Sequence, residues 1–204
     1  MLLTGARYME KFKKLYSSDG IYGVESYGNP IVCRGVKFAA HIMQMYSSDY
    51  KKILCVGAGN GYEAVLFLKR GVDVTILEMY HPDIPFLKGR QVKGYAQDLP
   101  FEDKEFDLYF CCETMEHVPP ELTVPILKEA KRVSKNVFFT IADREDPPYN
   151  THINVHGLDY WYSMFKDLGF DIRNAQYAPD VFLGGRKGII ITTCPDGTLI
   201  HARC

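Results

Sequence analysis

Gly57-Ala58-Gly59-Asn60-Gly61 sits between a continuous apolar run, Ile53 to Val56, and a segment with helical periodicity that runs through Ala64, Val65, Phe67 and Leu68. No other feature constrains the fold as much. A short apolar run ending at glycine reads as a strand buried on both faces, which is the habit of a parallel sheet. Glycine is what allows such a strand to turn sharply into a helix. It also lets the backbone approach a ligand closely, while the helix behind it presents N–H groups that no helical carbonyl accepts.

The rest of the chain repeats the alternation. The helix ends at Gly71, and Val72 to Leu77 is a β-branched run that closes on Glu78, giving a strand–helix–strand unit. A short strand is expected near Val92 to Tyr95, then Phe106 to Cys111, a helix around Thr123 to Val133, and a strand over Asn136 to Ile141. Leu158, Trp161, Tyr162, Phe165 and Leu168 mark one face of a helix stopped by Gly169. Phe170 to Tyr177 and Gly188 to Thr193 are both strand-like, with no room between them for a long helix, so they should pair antiparallel. These elements predict an α/β, Rossmann-like, doubly wound fold: a mostly parallel seven-stranded sheet with a C-terminal antiparallel hairpin.

The first fifty residues precede this pattern. In their last part Val36, Ala39, Ala40, Met43 and Tyr46 have the spacing of one buried helical face, and before them Tyr16, Tyr22 and Tyr27 lie among glycines and serines, a composition suited to a lid over a site. With 204 residues, one domain suffices, residues 1–50 forming an extension and residues 51–204 the core.

Lysine plus arginine (24) nearly cancels aspartate plus glutamate (25), and no basic block of the kind that grips phosphate backbones is present, which argues against broad nucleic-acid binding. The apolar runs are far shorter than the ~20 residues that span a bilayer, and the N-terminus turns charged too soon for a secretory signal, so a cytoplasmic location is expected. Cys33, Cys55, Cys111, Cys112, Cys194 and Cys204 show no metal or disulfide spacing and read as thiols.

In a parallel sheet of this kind ligands bind beyond the carboxyl ends of the strands. A nicotinamide fingerprint, G-x-G-x-x-G, requires glycine at position 62, where this chain has Tyr62. Glu78, at the end of the second strand, is placed to accept bonds from both ribose hydroxyls, and Asp98, after the third strand, to accept one from an adenine amino group. Together they describe an adenosine pocket. The segments KKILCVGAGNGYEA, VTILE, GYAQDLPFEDKEFDLYF and CCETMEHVP, in this order, resemble the class I S-adenosylmethionine (SAM)-dependent methyltransferases, especially those acting on small molecules. The resemblance implies that Gly57, Gly59 and Gly61, with Ala58, line the methionine and ribose portion of SAM. It further implies that Glu78, beside Met79, binds ribose, that Asp98 and Leu99 border adenine, and that Glu113 lies near the methionine end.

Glu113-Thr114-Met115-Glu116-His117 follows the fourth strand. If it begins a helical turn, Glu113, Glu116 and His117 share a face. Three roles are open to it. His117 or Glu116 acts as a base or orienting group beside the acceptor; or Glu113, Glu116 and His117 join His152 or His156 around a divalent cation; or His117 fixes the loop. The second pattern resembles the E-x-x-E-H motif of metal-dependent O-methyltransferases, among them small-RNA 3′-end 2′-O-methyltransferases and those of ubiquinone synthesis. His152 and His156 border the same mouth, each either touching substrate or bonding to the loop backbone.

The expected activity is O-methylation of a small hydroxylated acceptor, with S-adenosylhomocysteine as the product. A loose similarity of the H-x-N segment to relatives in surface-glycan synthesis points to a saccharide. A metal-dependent RNA ribose 2′-O-methyltransferase and a noncatalytic SAM-binding regulatory module are the alternatives. A nicotinamide-binding oxidoreductase is a further one.

Overall fold

The computed structural model describes residues 38–40, 42, 49–59, 61–79, 87, 89–145, 147, 150–177 and 188–194. Seven strands form one sheet: β1 (Lys52–Val56), β2 (Asp73–Glu78), β3 (Gln91–Lys93), β4 (Phe106–Cys112), β5 (Ser134–Ala142), β6 (Asn174–Tyr177) and β7 (Gly188–Thr192). Their order is β3-β2-β1-β4-β5-β7-β6. The first five are parallel, and β7 runs antiparallel to both β5 and β6. Strand order reverses between β1 and β4, so the crevice that such sheets use for ligands opens between the loops that follow these two strands.

Alternation along the strands builds two separate cores. Ile53, Cys55, Leu108, Phe110 and Phe138 face one side, under α1 (Tyr62–Lys69) and the helical residues Phe38, Ala39 and Ile42. Leu54, Val56, Tyr109, Phe139 and Ile141 face the other, under α2 (Pro120–Val133) and α3 (Leu158–Asp167). On the first face the Phe110 and Phe138 rings stack 5.4 Å apart between adjacent strands, and on the second Tyr109 and Phe139 do the same. A sheet covered on both faces explains why its strands read as unbroken apolar runs.

Three expectations need adjustment. In the helical segment before β1, Ala40 is exposed while Phe38 and Ile42 are buried; Val36, Met43, Tyr46, Tyr16, Tyr22 and Tyr27 lie outside the described residues. On α3 only Trp161 and Phe165 are buried, and Tyr162 is 39% exposed because the helix is covered along a narrow stripe. β6 begins at Asn174 rather than at Phe170, whose ring instead packs against Phe165 with centroids 5.0 Å apart. Among the described residues no helix is long and apolar enough to cross a membrane.

Candidate functional site

The glycine loop has the backbone that its composition requires. Gly57, Gly59 and Gly61 all adopt positive φ, and Gly61 N–H donates to Ala58 O at 2.8 Å, closing the turn into α1. Gly57 is the most constrained of them: a Cβ there would run into Thr114 Oγ1 and come within 2.7 Å of Thr114 Cγ2. The loops after β1 and β4 therefore touch, with no space for a side chain on Gly57.

Glu78 ties this loop to β2. Its Oε2 accepts from Gly59 N–H at 3.0 Å and its Oε1 from Met79 N–H at 2.9 Å. A carboxylate has about four acceptor positions, so these bonds fix its orientation and leave capacity for further donors. Asp98 is exposed and Leu99 is buried, 4% accessible. Asp98 N–H donates to Tyr95 O at 3.1 Å, making the turn that leads out of β3.

Beyond β4 the expectation of one helical face fails. Glu113 has φ 51, a left-handed conformation rare outside glycine, and the helical turn is a 3-10 turn limited to Met115–His117. Glu113 is held there because its N–H donates to Thr140 O at 2.9 Å, on the neighbouring strand. Glu113 accordingly lies outside the turn that carries Glu116 and His117. Positive φ at a non-glycine residue beside a ligand crevice is the kind of local strain that functional sites retain.

Glu116, His117 and His152 do come together. Glu116 is fully buried, and one ligand-capable atom from each of the three lies within 4.8 Å of the others. The loop after β5 brings His152 there: Ile153 and Asn154 N–H both donate to Glu116 O, at 2.9 and 3.0 Å, and buried Asn154 donates Nδ2–H to Met115 O and Thr123 Oγ1. The two imidazoles meet edge to face, centroids 4.8 Å apart. His117 Nδ1 lies 3.2 Å from Thr151 O, and His152 Nδ1 lies 2.6 Å from Arg144 O. A carbonyl can only accept, so Nδ1 carries a proton in both rings, and a proton passed to either ring would go to Nε2. His156 does not join them. It stacks on Tyr160 at 3.7 Å, next to Trp161, and burial pushes its pKa below the usual value.

Several residues of this region were not anticipated from sequence. Thr114 as the wall behind Gly57 and Asn154 as the tie between two loops depend on contacts across the sheet, which spacing does not reveal. Glu129 and Arg132 are another case; they brace the loop carrying Asp98, and their i, i+3 spacing on α2 was a visible signal.

The methyltransferase-domain family matches residues 54–137. Among curated proteins, the chain is similar to the ubiquinone biosynthesis O-methyltransferase of Acinetobacter baumannii (strain AYE), 29% identical over 61% of this chain and 62% of the relative. It is similar also to the protein of that name from Rickettsia bellii (strain OSU 85-389), 26% identical over 65% of this chain and 61% of the relative. The chain thus spans about three-fifths of the length of these relatives. Among solved structures, Burkholderia thailandensis 1,6-didemethyltoxoflavin-N1-methyltransferase, with bound 1,6-didemethyltoxoflavin and S-adenosylhomocysteine, superposes with a TM-score of 0.71. It is 17% identical and covers 92% of this chain and 88% of its own. Sheet order, the positive-φ glycine turn against Glu78 and the family match converge: residues 54–137 match a methyltransferase domain, and the chain has the Rossmann-like fold of class I SAM-dependent methyltransferases.

Proposed function

We propose that this protein transfers the methyl group of SAM to an oxygen of a small hydroxylated molecule. The observation that carries the reading is the convergence of Glu116, His117 and His152 at the carboxyl ends of β4 and β5, across the crevice from the glycine loop. Gly57, Ala58, Gly59 and Gly61 would hold the methionine and ribose of SAM, Glu78 beside Met79 its ribose, Asp98 and Leu99 its adenine, and Glu113 its methionine end. Bound there, SAM would supply a methyl group already activated by its sulfonium, with S-adenosylhomocysteine as the product, and the chain's own task is to hold the acceptor oxygen in line with that methyl. The hydroxyl proton passes to Nε2 of His117, with Glu116 stabilising the imidazolium that forms. His152 orients the acceptor. His156, neutral and stacked on Tyr160, lines the outer part of the same mouth.

A second reading of the cluster has its own support. One carboxylate and two imidazoles suit a divalent transition cation better than magnesium, and the backbone carbonyls that orient both rings through Nδ1 are the outer partners usual for metal-binding histidines. Neighbouring tetrahedral ligands of a cation at ~2.1 Å are about 3.4 Å apart, so atoms that lie within 4.8 Å of one another would draw together by up to about 1.4 Å around an ion. Such an ion, held by Glu116, His117 and His152, would lower the acceptor hydroxyl's pKa. Glu113 is left outside this set.

The acceptor class rests on the relatives' names, which speak for a small molecule and, in the curated pair, for oxygen; the saccharide expectation gains nothing from them. The test is transfer from methyl-labelled SAM to a panel of phenols, catechols and saccharides, before and after exhaustive chelation. Product that survives chelation removes the cation, and turnover that survives Glu116→Ala with His117→Ala removes the catalytic assignment. Binding of SAM with no acceptor methylated would favour a noncatalytic module, and methylation of RNA alone the ribose 2′-O alternative.

A further inference from the structure

Between β3 and β4 the chain runs from Gly94 to Glu105 without a strand or helix, its own backbone bonds being Asp98 N–H to Tyr95 O and Glu105 N–H to Glu102 O. Backbone groups in such a stretch need partners from elsewhere. Two residues of the last turns of α2 supply them. Arg132 grips Glu129 with two arms, Nε to Oε1 and Nη2 to Oε2, both at 2.7 Å. The same carboxylate, through Oε2, accepts Leu99 N–H at 2.9 Å, and the same guanidinium donates to Leu99 O at 3.0 Å and to Phe101 O at 2.7 Å. Asp103 closes the far end of the grip, 3.0 Å from Nη1.

An ordinary surface ion pair contributes little. This one differs because its remaining hydrogen-bonding capacity goes to the backbone of a loop. Its side chains are only 32% and 19% exposed, and the Arg132 contact holds the Glu129 carboxyl below the usual carboxylate range, so the pair stays charged and closed. Leu99, whose N–H and C=O are both held, directly follows Asp98, and Asp98 is tied on its other side by the bond to Tyr95 O. The backbone is therefore fixed at Asp98 and immediately after it.

We propose that Glu129 and Arg132 are positioning residues for recognition of the donor's nucleobase: by gripping Leu99 they hold Asp98 where it reads an amino group and rejects a carbonyl oxygen. This rests on the SAM reading above. Neither residue touches the donor, so the role is visible in selectivity rather than in affinity alone.

The experiment compares S-adenosylhomocysteine with S-inosylhomocysteine, in which an oxo group replaces the 6-amino group, by titration calorimetry. In the wild type the amino form should bind tighter by about tenfold or more, the usual worth of a hydrogen bond to a charged acceptor. Arg132→Met should weaken S-adenosylhomocysteine by about tenfold and leave the inosine form nearly unchanged, so that the ratio collapses towards unity. Glu129→Gln, which keeps an oxygen for Leu99 N–H, should lie between. Arg132→Lys, which keeps the charge but loses the two-armed grip, should behave like Arg132→Met and serves where that variant fails to fold. Equal weakening of both ligands, or an unchanged ratio in folded variants, would overturn the proposal. A wild type that binds S-adenosylhomocysteine without discriminating would also overturn it while leaving the donor reading intact. Binding of neither ligand by the wild type would sink the donor reading itself.

Discussion

Replacing Gly57 by alanine tests the contact between the loops after β1 and β4. Two penalties are separable. Alanine at φ 67 costs about 1–2 kcal/mol for left-handed backbone. The new Cβ also meets Thr114 Oγ1 and lies 2.7 Å from Cγ2, an overpacking that costs about 1–3 kcal/mol. Together they amount to about 3–4 kcal/mol, or a fall in Tm of about 10 °C for a domain of this size. Thr114→Ala removes both offending atoms and leaves its own Cβ 3.1 Å away, at the loss of the Oγ1–H bond to Cys112 O, worth about 1 kcal/mol. Additive penalties would bring the double variant to about 4–5 kcal/mol, whereas relief of the clash should leave it near 2–3 kcal/mol, a favourable coupling of about 2 kcal/mol. Urea denaturation of the four proteins measures this directly. Strict additivity would refute the argument, since it would mean that Thr114 never met the added methyl. Donor affinity should follow the same cycle, because the glycine turn and Glu78 are joined through Gly59 N–H.

Other expectations are simpler. Asn154→Ala removes the bonds to Thr123 Oγ1 and to Met115 O, the latter keeping only Val118 N–H, and should cost about 1–2 kcal/mol in denaturation, with loss of turnover as His152 leaves His117; a stable, fully active variant would contradict the role given to this tie. Burial holds the His156 pKa below its usual 6.5, so at mildly acidic pH the unfolded chain binds a proton that the folded one does not. Stability is then complete above pH 6.5 and falls as pH drops from there towards the folded value. His156→Phe should flatten that acid-side slope in denaturation curves, and an unchanged slope would assign it to other groups. Cys55 and Cys111 are buried and their thiols are raised by that burial, so aromatic disulfide reagents should label them only at the rate of unfolding; fast labelling of both in the native protein would show that β1 and β4 open readily.

The alternation of strands and helices was legible because each parallel strand is covered on both faces, so Ile53 to Val56 and Phe106 to Cys111 carry unbroken apolar runs. The donor loop was legible for a related reason: Gly57, Gly59 and Gly61 occupy left-handed backbone that few other residues tolerate. The acceptor side was only partly so. Glu116, His117 and His152 lie together, but Glu113 is outside that group, its backbone held left-handed by the bond from its N–H to Thr140 O on a neighbouring strand, and no spacing rule encodes that bond. His152 and His156 share a segment yet part company, one drawn to His117 by Asn154 and the other flattened on Tyr160. What sequence withheld is the set of contacts made by residues far apart in the chain, and these decide where the loops point.

The place of β7 in the sheet has a consequence for the order of folding. β6 reaches the rest of the sheet only through β7, whose other edge pairs with β5 from Phe138 to Ala142. Until β7 docks, β5 offers a bare edge lined by Phe138, Phe139 and Ile141, a template for the wrong strand or another molecule. The hairpin should therefore close late and open first as one unit, its amides exchanging together. Slow folding would be felt first as aggregation through β5, while the donor half, built from β1 to β4, is already formed.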